Sequence, residues 1–248
     1  MIKAITFDFW DCIAIDDSDE PKRAAAGLPS KSVARAALFT DEVLAHHPEI
    51  GIDRASDAYD TTERIFRHHW KVEHYTPSVA DRFNAGFEFL EIERTPGFDA
   101  MVESLEMMEV RIPPDHIADA PEIIRELSGK YPLGIISDTI MTPGTGLRQI
   151  LDSWGILDCF SHFVFSDEAG AAKPAKRVFE LASAGLNTPY ANLVHIGDRE
   201  SNDIVGPRDI GAHAILITAS IDRRDDTGTR ASAVCERYVD LPGIIASL

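Results

Sequence analysis

The stretch that decides the fold reads MIKAITFDFWD, residues 1–11. Apart from Lys3, residues 1–7 form an apolar run with several β-branched members, which is typical of a buried strand in a parallel sheet. The run ends at Asp8, and a carboxylate at the carboxyl end of such a strand lies where open α/β sheets bind their ligands. Taken alone, the stretch is explained more simply by a strand that stops at a polar turn, so the case for Asp8 depends on residues further along the chain.

Composition limits the classes of function. The 248 residues, 44% of them hydrophobic, suffice for one large domain or for a core with a second, smaller unit. Because 41 acidic residues outnumber 24 basic ones, the net charge is −17, which argues against a nucleic-acid or anionic-membrane surface. An anionic small molecule stays compatible with this charge, since local basic groups or a metal can invert the field of a site.

Cysteine usage and hydropathy bear on location. Cys12, Cys159 and Cys235 are far apart and show no metal-binding spacing, so we expect a reduced, cytoplasmic protein. No cationic region precedes the first apolar run, and no apolar stretch is long enough to cross a membrane. We expect a small-molecule substrate and neither a nucleic-acid nor a membrane partner, and we leave a homodimer open.

A helical pattern without strands occupies residues 30–110. It predicts helices from Ser30 or Ser32 to His47, from Asp53 to about His74, from Pro77 onward, and over residues 97–108. Four consecutive helices suggest a small helical unit inserted into an α/β protein.

Strands and helices alternate after residue 120. The pattern predicts strands over residues 133–137, 160–165, 192–196 and 214–217, helices over residues 121–127, 146–154, 202–211 and 241–248, a helix after Lys173-Pro174, and a polar, mobile segment over residues 219–233. This alternation predicts an α/β fold with a Rossmann-like parallel sheet and helices on both faces.

Right-handed crossovers bring the carboxyl ends of parallel strands to one edge, and Asp8, Ser137, Lys173 and Asp198 all fall there. Asp8 can attack an electrophile or ligate a metal. Asp198, followed five residues later by Asp203, suits a hard cation such as Mg²⁺. Ser137 and Thr139 can donate hydrogen bonds to an anion, and Lys173 offers a point positive charge.

In order and spacing these residues resemble the haloacid dehalogenase-like hydrolase superfamily. The matching pieces are residues 7–11, 135–138, 173–174, 197–198 and 202–203. The resemblance implies that Asp8 is the nucleophile of a phosphohydrolase that forms an aspartyl phosphate. It also implies a core of residues 1–16 and 111–248, with a helical cap of residues 17–110 that closes over the substrate.

The resemblance further assigns roles around the nucleophile. Mg²⁺ would be held by Asp8, by Asp198 and by the main-chain carbonyl of Trp10, with Asp203 supporting it directly or through water. Ser137 and Lys173 would bind the transferring group, and we count Trp10, Asp138 and Thr139 among the residues that contact the substrate.

One position departs from the pattern of the family's phosphatases. They usually carry a second Asp two residues after the nucleophile, which protonates the leaving oxygen, and here that position is Trp10. Asp11 is one step off and would point to the opposite side of an extended segment.

Three interpretations stay open. The first is a Mg²⁺-dependent phosphohydrolase that uses another acid or a substrate whose leaving group needs no proton, and we favour it. The second is a 2-haloacid dehalogenase, a class that resembles this chain in its aromatic residue at that position but uses no metal. The third is a binding protein without catalysis.

Overall fold

A computed structural model describes residues 1–224 and 228–248. Its strands are β1 (Ala4–Phe7), β2 (Leu133–Ser137), β3 (Phe160–Phe165), β4 (Leu193–Gly197), β5 (His213–Ile217) and β6 (Ala233–Cys235). All neighbouring strands pair in parallel, in the order β3-β2-β1-β4-β5-β6. The chain therefore leaves β1 toward β2 and β3 and returns to the other side of β1 as β4, which opens a crevice between β1 and β4 at their carboxyl ends.

Helices cover both faces of the sheet, as the alternation predicts. After β1 come α1 (Glu20–Ala25), α2 (Lys31–His46), α3 (Ile52–His68), α4 (Val79–Leu90), α5 (Phe98–Glu106) and α6 (Met108–Arg111). Among and after the remaining strands come α7 (Ala120–Ser128), α8 (Gly144–Ser153), α9 (Ser166–Ala169), α10 (Lys176–Gly185), α11 (Val205–Asp209) and α12 (Leu241–Ser247). None of the helices in the described part of the chain is long and apolar enough to cross a membrane.

Strand β1 is buried along its whole length and separates two apolar layers. Ile5 and Phe7 point into the main core with residues of α7, α8 and α12. On the opposite face, Ile136 of β2 packs with Phe179 of α10. The period-two alternation of strand side chains distributes these residues between the two faces, and burial on both faces explains why the strands read as continuous apolar runs.

The segment from α1 to α6, called the helical insertion below, has an apolar cluster of its own. Phe39 of α2 lies 5.7 Å, between ring centroids, from both Phe83 and Phe87 of α4. The side chains of Ser30 and Ser78 cap the N-termini of α2 and α4. Both helices therefore begin within two residues of their predicted first residues. The expected boundaries, 17–110 for the insertion and 1–16 with 111–248 for the core, stay predictions.

Several features differ from the sequence-based expectations. Strand β6 and the short helices α1, α6 and α9 were not predicted, because they are too short to show a periodic pattern. The helix predicted over residues 202–211 is instead a π-helical turn, Glu200–Ile204, followed by α11, which accommodates Pro207 in its first turn. Of the segment predicted to be mobile, residues 225–227 lie outside the described residues.

Candidate active site

Asp8 leaves β1 at the crevice between β1 and β4. Its backbone N–H donates to the carbonyl of Ile196 at 2.8 Å, which continues the pairing of β1 with β4 by one residue. The backbone N–H of Phe9 donates to Asp8 Oδ1 at 2.7 Å. Asp8 is only 7% exposed, and this burial raises the pKa of its carboxyl group. The nucleophile candidate is therefore held rigidly at a strand end.

The end of β4 brings two further carboxylates to the same place. Gly197 permits this arrangement, because a Cβ on it would lie 2.3 Å from Cγ of Asp203. The π-helical turn after Arg199 folds Asp203 back toward the strand. Carboxylate oxygens of Asp8, Asp198 and Asp203 lie within 4.8 Å of one another, and all three residues are buried.

Lys173 joins this group from the loop before α10. Its Nζ lies 2.8 Å from Asp8 Oδ1 and 2.6 Å from Asp203 Oδ1. Burial alone would lower the pKa of Lys173, but the carboxylates of Asp203, Asp8 and Asp138 raise it well above its ordinary value. Lys173 therefore stays charged and partly neutralises the carboxylates around it.

Asp203 accepts three hydrogen bonds from the protein. Besides Lys173, its Oδ1 accepts from His195 Nε2 at 3.2 Å, and its Oδ2 accepts from the backbone N–H of Arg199 at 3.0 Å. Burial opposes ionisation, yet Lys173 and His195 hold the pKa of Asp203 below its ordinary range. Asp203 is thus ionised and fixed, with little freedom to reorient.

His195 is a buried polar residue that the sequence pattern did not single out. Because Asp203 can only accept, His195 Nε2 carries the proton, and its Nδ1 accepts from the Thr6 hydroxyl at 2.9 Å. Burial lowers the pKa of His195, which keeps the ring neutral. The hydrogen bond from His195 therefore fixes the orientation of the Asp203 carboxylate.

Asp198 is the least satisfied of the three acids. Its Oδ2 accepts from Arg223 Nε at 2.6 Å, whereas its buried Oδ1 has no hydrogen-bond partner among the described residues. Burial and the neighbouring carboxylates Asp203 and Asp8 raise the pKa of Asp198 to about 7. A free carboxylate oxygen among clustered negative charge is the arrangement that a hard cation with oxygen ligands would satisfy, so these residues fit Mg²⁺.

The two residues after Phe9 have different surroundings. Trp10 is partly buried, packs edge-to-face on Phe9 at 4.9 Å between ring centroids, and lines a cavity together with Asp8. Asp11 adopts a left-handed backbone with φ +52°. Its carboxylate accepts from Arg223 and from the Ser220 hydroxyl, so it is held apart from the position that the second acid of the family's phosphatases would occupy.

Ser137, Asp138 and Thr139 lie at the end of β2 and have different surroundings. The buried hydroxyl of Ser137 has no partner among the described residues. Asp138 Oδ1 accepts from the backbone N–H of Lys173 at 2.8 Å, and its Oδ2 lies at the cavity. Thr139 instead bonds Ser166, and its hydroxyl accepts from the backbone N–H of Asp167, so the structure does not bring Thr139 to the other predicted site residues.

A cavity of about 330 Å³ lies between these strand ends and the helical insertion. Asp8, Trp10 and Lys173 line its core side, and Arg35 and Trp70 line the insertion side. Trp70 Nε1 donates to Asp138 Oδ2 at 2.9 Å, which joins the insertion to the site directly. The cavity is large enough for a small organic molecule and holds both charged and aromatic surfaces.

The whole arrangement agrees with one family of enzymes. A family model for haloacid dehalogenase-like hydrolases matches residues 2–211. The chain belongs to the haloacid dehalogenase-like hydrolase family.

One curated relative is a pyrimidine 5'-nucleotidase by its name. Over 140 residues the chain is 28% identical to the pyrimidine 5'-nucleotidase YjjG of Escherichia coli (strain K12), a match that covers 56% of this chain and 58% of the relative. The chain thus spans little more than half the length of that relative.

Solved structures of the family share the fold. The chain superposes on a HAD phosphatase from Thermococcus onnurineus with a TM-score of 0.65, 20% identity and 98% of each chain covered. It superposes on a 2-haloacid dehalogenase from Pseudomonas syringae pv. Tomato DC3000 with a TM-score of 0.68, 18% identity, and 100% and 99% of the two chains covered. At these identities the likeness concerns the fold alone, which the two classes of hydrolase share.

Proposed function

We propose that this haloacid dehalogenase-like hydrolase is a Mg²⁺-dependent phosphohydrolase that acts on a small phosphorylated metabolite through an aspartyl phosphate on Asp8. The observation that carries the proposal is the buried group of Asp8, Asp198 and Asp203 with Lys173 among them. A lone nucleophilic carboxylate would need neither of the other two acids, whereas a cation that binds phosphoryl oxygens would.

Asp8, Asp198, Asp203 and the main-chain carbonyl of Trp10 are the groups that would hold the cation. When bound there, Mg²⁺ would offset the negative charge of the phosphoryl oxygens. The free Oδ1 of Asp198 supports a direct ligand role for this residue. The three hydrogen bonds to Asp203 support a role for it in orienting ligands or a bound water.

The reaction on the chain's own residues has two halves. An oxygen of the Asp8 carboxylate attacks phosphorus and forms an acyl phosphate, while the bond from phosphorus to the ester oxygen breaks and that oxygen leaves with the electron pair. Water then attacks the phosphorus of the acyl phosphate, which releases inorganic phosphate and restores Asp8. Lys173 favours the ionised form of Asp8 against the burial that raises the pKa of this carboxyl group and, with Ser137, offers donors to the phosphoryl oxygens.

The helical insertion would act as a cap that closes over the substrate. Trp70 and Arg35 reach the cavity from it, so they support a role in choosing the substrate. The net charge of −17 favours a small molecule over a nucleic acid, and free, widely spaced cysteines favour a cytoplasmic setting.

One observation favours attack on carbon as a second candidate. Trp10 offers an aromatic wall beside Asp8 and no proton, and halide is a leaving group that needs none. The cluster of three buried carboxylates weighs against it, because hydrolysis of an aspartyl ester needs at most one further carboxylate as the base that activates water.

A single screen tests both candidates. Release of inorganic phosphate from aryl, acyl and alkyl phosphates is measured beside release of halide from 2-haloacids, each with Mg²⁺ and with excess chelator. The proposal predicts phosphate release that depends on Mg²⁺, and no halide. Halide release in chelator, lost in Asp8→Asn, would establish the second candidate instead.

A further inference from the structure

Arg223 is a partly exposed residue outside the helical insertion that the family resemblance does not use. It lies after β5, in the described part of the segment that leads to β6. Its guanidinium contacts two carboxylates at once, with Nε donating to Asp198 Oδ2 at 2.6 Å and Nη2 donating to Asp11 Oδ2. A planar guanidinium presents these donors in a fixed geometry, so the two carboxylates are held at a set separation.

The contact with Asp198 decides which of its oxygens is available. Oδ2 is occupied by Arg223, and the buried Oδ1 has no partner among the described residues. Since Arg223 occupies Oδ2, Oδ1 is the oxygen that stays available to a cation, and the guanidinium holds the Asp198 side chain in that orientation. Partners of metal-binding carboxylates commonly act in this way.

The contact with Asp11 connects Arg223 to the segment after β1. Asp11 follows Trp10 directly, and the Trp10 carbonyl belongs to the peptide bond that joins them. The Ser220 hydroxyl also donates to Asp11, at 2.9 Å, so two side chains of the same segment hold its carboxylate. This anchoring stabilises the left-handed backbone at Asp11 and with it the direction of the preceding peptide group.

We propose that Arg223 is a positioning residue for the Mg²⁺ site, a clamp that sets the distance between the segment after β1 and Asp198 at the end of β4. The inference rests on the proposed function, because it concerns the cation of that same site. A simple charge effect would have the opposite sign, since a guanidinium beside a divalent cation repels it. The clamp and the charge effect can therefore be separated by measurement.

The test is the affinity for Mg²⁺ alone, measured by titration calorimetry on the folded protein without substrate. We expect Arg223→Gln to weaken Mg²⁺ binding by about 10–100-fold, the usual effect of removing such a partner. We expect Arg223→Lys to weaken it as well, because an ammonium keeps the charge but cannot join two carboxylates in one plane. Arg224→Gln is the matched control, since Arg224 pairs with Asp222 and Glu236 instead, and its affinity should equal that of the wild type.

A second variant approaches the clamp from its other end. Asp11→Asn keeps a residue that tolerates the left-handed backbone and removes the charge that anchors Arg223. We expect a weaker affinity than that of the wild type, and a loss in the double variant smaller than the sum of the two single losses. If circular dichroism shows that Arg223→Gln unfolds, the affinities of Arg223→Lys and Asp11→Asn still test the clamp, and Arg223→Lys replaces Arg223→Gln in the double variant.

Two results would overturn the clamp. They are Mg²⁺ binding in Arg223→Gln as tight as in the wild type or tighter, and full affinity in both Arg223→Lys and Asp11→Asn. Absence of Mg²⁺ binding in the wild type and in Arg224→Gln is a different outcome, which would overturn the proposed function itself.

Discussion

Trp10 places an indole beside Asp8 where the family's phosphatases usually have an acid. Its ring packs on Phe9 and lines the cavity, and Asp11, the next acid along the chain, is bound to Arg223 and Ser220. The site therefore lacks, at this position, a carboxyl group that could protonate a leaving oxygen. The physical consequence concerns the leaving group of the substrate.

We predict that esters with good leaving groups react much faster than alkyl phosphates, because a positioned acid contributes about 10²–10⁴-fold when the leaving oxygen is a poor one. Phosphate release from matched aryl and alkyl phosphates measures this ratio. Trp10→Asp should lower the ratio of aryl to alkyl phosphate hydrolysis. Trp10→Phe, which keeps an aromatic ring without an acid, should leave this ratio unchanged. Folding is checked first, since losing a packed indole can cost about 3–5 kcal/mol. An alkyl phosphate hydrolysed as fast as its aryl counterpart by the wild type would contradict the account.

Asp16 gives a prediction about pH. It is partly exposed at the cavity, where incomplete solvation and the neighbouring carboxylates, chiefly Asp17, raise its pKa to about 6. Because the folded-state pKa lies above the unfolded one, the wild type loses stability through this residue as the pH rises from about 4 to about 6. Asp16→Asn should therefore gain thermal stability relative to the wild type across that interval and none below it. A difference in melting temperature between the two proteins that is the same at every pH would contradict this.

For single residues, the sequence predicts the site residues that follow a strand or a turn signal. It misses site residues that lie inside a strand or reach the site only through tertiary contacts. Asp8, Lys173 and Asp198 stand out because each follows an apolar run or a turn signal. His195 lies inside a buried strand, where the pattern registers only an apolar run. Arg223 is brought to Asp198 by tertiary structure, and no local spacing indicates that contact.

At the scale of elements, the helical insertion depends on a close approach of α2, α3 and α4. Gly86 lies where they meet, since a Cβ on it would lie 2.7 Å from Phe39 and 2.8 Å from Thr62. Both contacts are with well-packed side chains, so an added methyl group has no space without movement of its neighbours.

We predict that Gly86→Ala lowers the free energy of unfolding by about 1–3 kcal/mol, the usual cost of overpacking. The matched control is Gly243→Ala in α12, where an added Cβ meets nothing within 4 Å. That change should raise stability by about 0.5–1 kcal/mol, because alanine favours a helix over glycine. Denaturant unfolding of the two variants measures both effects, and a stabilised Gly86→Ala would show that the helices are less closely packed.

The elements themselves follow closely from sequence pattern where they are long or buried. The bounds of β2 and β3 equal the predicted ones, because the apolar run of β2 follows Pro132 and the aromatic residues of β3 end at the polar residues 166–168. Strand β6 escapes prediction because three residues carry no period, and its pairing with β5 defines it. The turn before α11 escapes prediction because Asp203 folds back toward Gly197, a tertiary contact.

At the scale of the whole molecule, the insertion is fastened to the core at the site itself. Trp70 donates to Asp138, and Arg82 donates to the carbonyl of Ile140 at 2.8 Å. Glu109 of α6 binds Lys31 within the insertion and accepts a hydrogen bond from the Thr142 hydroxyl of the core. The contacts between the insertion and the core therefore include residues that line the cavity.

We predict that Trp70→Phe raises KM by about tenfold, because a hydrogen bond to a charged acceptor contributes about 1.5–3 kcal/mol. It should also speed backbone deuterium exchange in the π-helical turn His69–Glu73, which is followed by His74, whose carbonyl accepts from the backbone N–H of Ala172 in the core. Trp154→Phe is the control, since that indole stacks on Phe9 within the core. Unchanged exchange in Trp70→Phe would mean that the hydrogen bond does not hold the insertion.

The central claim is that Asp8 carries the transferred phosphoryl group in a Mg²⁺-dependent reaction. The most direct measurement is acid quenching of the enzyme during turnover of an aryl phosphate, followed by mass spectrometry of the peptide that contains Asp8. We expect one added phosphoryl group on Asp8 in the presence of Mg²⁺, and none in excess chelator or in Asp8→Asn. Phosphate released at an undiminished rate by Asp8→Asn, or turnover in the wild type with Asp8 never modified, would contradict it.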